Sequence, residues 1–126
     1  MTTDYFEKKI DDKRRLTIPS DLQQEFASGV VVTQGLTEPC LHLYSRDVWD
    51  EEVAPRLVSD DIFDEEVAER NVKLRMGKLD AVLDDKQGRV TLSQSLLNFA
   101  GITREVKAVR VGDRTYFRIY DINYEP

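Results

Sequence analysis

The sequence predicts an α+β fold in which two tandem β-rich repeats with short helices pack into one domain. Three observations carry this reading. The chain has 126 residues, enough for one compact domain but not for two large ones. Asp11-Asp12-Lys13-Arg14-Arg15-Leu16-Thr17-Ile18 reappears as Asp85-Lys86-Gln87-Gly88-Arg89-Val90-Thr91-Leu92 at an offset of 74, pairing Asp11 with Asp85, Arg15 with Arg89 and Thr17 with Thr91. Around each copy runs the same order of signals: an entering strand, an Asp-x-x-x-Arg loop, a short strand, a short amphipathic helix and two more strands.

The elements follow from local chemistry. Tyr5–Ile10 and Lys78–Leu83 read as the entering strands, and Leu16–Ile18 and Val90–Leu92 as the leaving ones. In the first copy Ser20 and Gln23 fit a capping box, with Leu22 and Phe26 four apart on one face. In the second, Ser93 is the expected N-cap, Leu96, Phe99 and Ala100 the buried stripe and Gly101 the stop. Val30–Gln34 and Leu41–Tyr44, then Lys107–Val111 and Thr115–Tyr120, close the two halves as strands, the last pair around a tight hairpin at Gly112-Asp113.

Helices fill the interval. Ser45 caps a segment carrying Val48, Trp49 and Val53, which Pro55 should kink. Asp60 or Asp61 caps a second helix, with Asp64 and Glu65 at its start, Lys73 and Arg75 near its end and Gly77 as its stop, a polarity suited to the helix dipole. Phe63, Val67 and Leu74 would form its apolar stripe. The expected units are residues 1–70, the first repeat with its following helices, and 71–126, the second. Neither has enough residues to bury a core alone, so the halves should pack together, and further chains should complete the burial.

Composition narrows the function. Hydrophobic residues at 40% and charged residues at 33% describe a globular chain. No apolar run approaches the roughly 18 residues of a membrane span, and the N-terminus lacks a signal-peptide pattern, so a cytoplasmic protein without a membrane partner is expected. The lone cysteine, Cys40, excludes an intramolecular disulfide. Cys40 and His42 fall on one side of a strand between leucines, which points to packing and to no metal. Trp49 reads as a core or subunit-contact anchor. No phosphate-binding glycine loop, nucleophile elbow or zinc-protease motif occurs, so neither an enzyme, a cofactor nor a small-molecule substrate is expected.

A net charge of −6 argues at first against nucleic acid. Its distribution answers that objection. Residues 46–70 hold 10 acidic and 3 basic side chains, residues 1–45 hold 7 and 5, and residues 71–126 hold 7 and 10. The acidity lies in one middle segment, either a solvated helical face or one turned away from an anionic partner. The paired loops then have two readings. Asp11 with Arg15, and Asp85 with Arg89, are ion pairs that shape a turn. Alternatively Arg15 and Arg89, with Lys13 and Lys86, meet phosphates and base edges, for which planar paired donors suit guanine and phosphate. The aspartates would organise the loops in either case. Arg14 is a solvated charge or an added phosphate contact, and Lys8 and Lys9 are weaker candidates.

With these residues in hand, the chain resembles the MraZ family of bacterial proteins. The resemblance runs through Ile10–Pro19, Glu38-Pro39-Cys40-Leu41-His42-Leu43-Tyr44, Val48-Trp49-Asp50, Leu83–Arg89 and Phe99–Val106, nearly the whole chain. It implies two tandem AbrB-like β-barrel repeats of the swapped-hairpin or double-psi type and a ring-shaped homo-oligomer. It also implies sequence-specific binding of double-stranded DNA at repeated promoter sites of division and cell-wall genes, hence nucleoid association. Arg14 stands where the family loop usually has Gly, a position the second copy keeps as Gly88. If that position needs φ > 0, Arg14 must strain or reshape the turn. Ser93 stands where a Pro often starts the helix, and the sequence ends at Pro126 where many members continue into a further helix. The rival reading is an oligomeric protein-interaction scaffold or antitoxin-like module that does not bind DNA.

Overall fold

A computed structural model describes residues 3–58, 61–83, 86–113 and 116–126. The fold is α+β. Six strands form one antiparallel sheet: β1 (Tyr5–Lys9), β3 (Val30–Gln34), β4 (Leu41–Ser45), β5 (Leu79–Ala81), β7 (Glu105–Val111) and β8 (Tyr116–Asp121), in the order β1-β7-β8-β4-β3-β5. Two short strands, β2 (Arg15–Thr17) and β6 (Arg89–Thr91), pair separately as a ribbon.

This order has a simple logic. Each entering strand, β1 or β5, pairs with the third strand of the other half, β7 or β3. At the centre β4 meets β8 with Leu43 opposite Phe117, and in the ribbon Leu16 lies opposite Val90. Both pairs are separated by the repeat offset of 74, so each residue faces its own counterpart and a pseudo-twofold axis passes through both. The halves are interleaved, as the packing confirms. Leu16, Leu22, Phe26, Val30 and Leu43 share one core with Val90, Leu96, Val106, Phe117 and Ile119.

The β3 strand shows how the second layer arises. Val30 and Val32 enter that core, while Val31 points to the opposite face and joins Tyr44, Trp49, Leu57 and Leu74 in a second cluster. This outer cluster is supplied by α1 (Arg46–Val48), capped by the Ser45 hydroxyl, which accepts the Val48 N–H at 3.1 Å. The helix widens into a π turn over Trp49–Val53, then tightens to 3-10 winding over Ala54–Leu57, where Pro55 falls. The acidic segment thus covers one face of the sheet, and the β2–β6 ribbon packs against the core on the other.

Four local expectations are corrected. Ser20–Leu22 is a single 3-10 turn preceded by Pro19 with no side-chain cap, so no capping box forms; Gln23 is drawn instead to the carbonyl of Ile18. The helix α2 (Glu65–Arg75) is capped by Asp64, whose carboxylate accepts the Val67 N–H at 3.2 Å, while Asp61 closes the preceding turn at Phe63; Asp60 lies outside the described residues. Phe63 therefore precedes the helix and is 79% exposed, leaving Leu74 as its buried anchor. In α3 (Gln94–Ala100), capped by Ser93 and stopped by Gly101 at φ 65°, the buried stripe is Leu96, Leu97 and Ala100, with Phe99 rotated outward. The hairpin expected at Gly112-Asp113 joins Val111 to Tyr116 through residues partly outside the described set.

Candidate nucleic-acid interface

The ribbon is what presents the loops. Alternation sends Leu16 and Val90 into the core, so Arg15 and Thr17, and Arg89 and Thr91, share its other face. In the cross-strand register Arg15 faces Thr91 and Thr17 faces Arg89. The two arginines thus flank the pseudo-twofold axis on one surface.

Asp11 organises the first loop in the manner of an Asx turn. One carboxylate oxygen accepts the backbone N–H of Lys13 and of Arg15, each at 2.9 Å. The other takes Arg15 Nε at 2.6 Å and lies 4.0 Å from Arg89 Nη1. One carboxylate therefore links both arginines across the axis. The backbone N–H of Arg15, with the Arg15 side chain and the Lys13 N–H, holds the Asp11 carboxyl below its usual range. Lys13 and Lys86 are exposed nearby. Asp85, the expected organiser of the second loop, lies outside the described residues. An open cleft of about 780 Å³ separates Arg14, Arg15 and Arg89 from the Leu79–Leu83 stretch.

Arg14 has φ 62° and Gly88 φ 67°, so the loop position does demand the left-handed region. For arginine that conformation costs about 1–2 kcal/mol. Reciprocal bonds tie the loops together: Leu92 N–H to Arg14 O and Ile18 N–H to Gly88 O, both 2.8 Å. Arg14 Nε also donates to Leu92 O at 3.1 Å. At the equivalent carbonyl of Ile18 the donor is Gln23 Nε2, at 3.0 Å. Sequence reasoning missed Gln23 as part of this site; its one visible signal was the mismatch of Arg14 with Gly88.

Cys40 and His42 are buried. The His42 ring packs 4.6 Å from Tyr116, and Nδ1 lies 3.0 Å from the Tyr44 hydroxyl. Burial, aided by Arg118, lowers the His42 pKa to about 4. Trp49 anchors the outer cluster against Tyr44. Lys8 is half-buried and Lys9 exposed on the edge strand β1, which pairs with β7 and not with the ribbon.

A family profile described as "MraZ protein, putative antitoxin-like" matches residues 1–68. A "Transcriptional regulator MraZ" from Kocuria rhizophila is 33% identical over 109 residues, covering 86% of this chain and 74% of that relative. The chain belongs to the MraZ family. Proteins of the same name from Nocardioides sp. and Corynebacterium efficiens are also 33% identical, over 84% and 90% of the chain and 72% and 76% of their own length. Membership places the chain among relatives named as transcriptional regulators. No helix of the described residues is long and apolar enough to cross a membrane.

Proposed function

We propose that this chain is a DNA-binding transcriptional regulator whose two repeats, 1–70 and 71–126, each supply one loop to a common DNA-facing surface. The observation that carries the proposal is the convergence of Arg15 and Arg89 on one side of the β2–β6 ribbon, linked through Asp11. Arg15 and Arg89 read base edges or clamp phosphates, Lys13 and Lys86 neutralise phosphates, and Asp11 and Asp85 set the loops. Packing of the acidic helices on the opposite face of the sheet supports this division of charge, because only the loop face needs to attract a polyanion.

A single loop makes too few contacts for tight binding. A ring-shaped homo-oligomer presenting many loops would bind repeated promoter sites by avidity. Ile62 and Val58, exposed to 85% and 73%, support a partner surface. The test is a mobility shift of the chain on the DNA upstream of its own gene, repeated across salt concentrations. Specific retardation that weakens steeply with salt supports the reading. Equal, negligible binding to that DNA and to an unrelated duplex overturns it in favour of the interaction-scaffold reading.

A further inference from the structure

The pseudo-twofold relation makes one asymmetry at the loops informative. Under the offset of 74, Ile18 corresponds to Leu92, Arg14 to Gly88 and Gln23 to Leu97. The carbonyls of Ile18 and Leu92 are equivalent, and each receives a side-chain N–H, but from residues that are not equivalent. Over Gly88 the space is taken by Gln23: a Cβ built there would fall 2.4 Å from its Cδ and Nε2. Gln23 then supplies the donor to Ile18 O. At the other carbonyl the residue corresponding to Gln23 is Leu97, which is apolar, buried and without a donor. There Arg14 reaches across from the opposite loop and donates Nε–H to Leu92 O.

We infer that Arg14 and Gln23 are matched positioning residues that lock the two loops against the ribbon, and that Arg14 serves this purpose rather than binding phosphate. Each site has one donor and one silent partner, Gln23 with Gly88 and Arg14 with Leu97. This explains why an arginine persists in a left-handed conformation: its side chain closes a ring with Leu92, whose N–H already bonds Arg14 O. It also explains why the second copy holds glycine. The lock sits one residue before Arg15 and Arg89 and so fixes their height above the ribbon. The inference rests on the DNA-binding reading for its functional consequence, and on geometry alone for the lock.

Exchanges in the full-length chain test it. Gly88→Arg alone should lower the melting temperature and weaken specific DNA binding, because the new Cβ meets Gln23. Adding Gln23→Leu should recover specific binding and part of the melting temperature, as the new Nε–H replaces the lost donor to Ile18 O while the left-handed strain at position 88 stays. Arg14→Lys keeps the charge but loses the planar donor, so specific affinity should fall roughly three- to tenfold with the salt slope unchanged. Amide exchange at Leu92 should accelerate in this variant, a readout that needs no DNA. Arg14→Gly with Leu97→Gln should recover specific binding despite the lost charge. If that buried glutamine prevents folding, the Arg14→Lys exchange rate decides.

Wild-type binding and wild-type Leu92 exchange in Arg14→Lys overturn the inference, as does failure of Gln23→Leu to rescue Gly88→Arg. A salt slope reduced by about one in Arg14→Gly, with Leu92 exchange unchanged, makes Arg14 a phosphate contact instead. Failure of the DNA reading shows differently: an Arg15→Ala, Arg89→Ala variant would bind like wild type while the melting and exchange results still report on the lock.

Discussion

Arg15, Arg89 and Asp11 form a small electrostatic unit, and its parts should fail in different ways. Arg15→Ala or Arg89→Ala should cost roughly 1–3 kcal/mol on the specific site and blur its base preference. Lys13→Ala and Lys86→Ala should weaken all sequences alike, each lowering the salt slope by about one in fluorescence anisotropy. Asp11→Ala should weaken binding by freeing Arg15, so it should add little in an Arg15→Ala background. The Asp11 carboxyl is held below its usual range chiefly by the backbone N–H of Arg15. Its contribution to loop order is therefore present above the ordinary aspartate range and disappears as pH falls through the lowered value. Carboxyl shifts of Asp11 followed by NMR across acid pH should show that displaced titration. His42 gives the other pH signature. Burial lowers it from 6.5 to about 4, so the unfolded chain binds its proton first. The His42 contribution to stability should decline as pH falls from about 6.5 towards 4 and level off below. Urea unfolding of His42→Gln should lack this part of the decline.

At the scale of elements, caps and alternation decide most of the structure. Ser93→Ala removes the acceptor for the Leu96 N–H and should destabilise the chain by about 0.5–2 kcal/mol in urea unfolding. Runs of β-favouring residues made the strands legible: Val30–Gln34 is found as expected, and the other strands shift by only a residue or two at their ends. What the sequence concealed were choices among near-equivalent groups. Asp60 or Asp61 is the expected cap of α2, yet Asp61 closes the preceding turn at Phe63 and leaves the N-cap to Asp64. Ser20 and Gln23 carry a sound capping box, yet Gln23 turns back to Ile18 O, in space that Gly88 leaves open from across the pseudo-twofold axis. Local pattern contains no trace of a partner 65 residues away. Phe99 illustrates a third limit, since a seven-residue helix has room for one buried stripe and Leu97 took the place.

For the whole molecule, the repeat offset seen in the sequence reappears as the Leu16–Val90 and Leu43–Phe117 pairs, so the packing of the two halves against each other was implicit in the duplication. The swapping of β1 onto β7 and of β5 onto β3 was not, because strand pairing between similar halves is equally favourable within and across them until the connections are specified. The proposed ring makes a direct prediction at this scale: light scattering after gel filtration should give a mass several times 14.6 kDa. A monomer at micromolar concentration would remove the avidity on which tight binding depends.

The central claim is that the ribbon face carrying Arg15 and Arg89 is the DNA-binding surface. It is tested most directly by anisotropy titrations of the Arg15→Ala, Arg89→Ala variant against wild type on labelled upstream DNA. The titrations should span a series of salt concentrations, with oligomer mass checked in parallel. The account predicts an intact oligomer with strongly reduced affinity and a shallower salt dependence. An intact oligomer whose affinity and salt slope both match wild type would contradict it and make the loops purely structural.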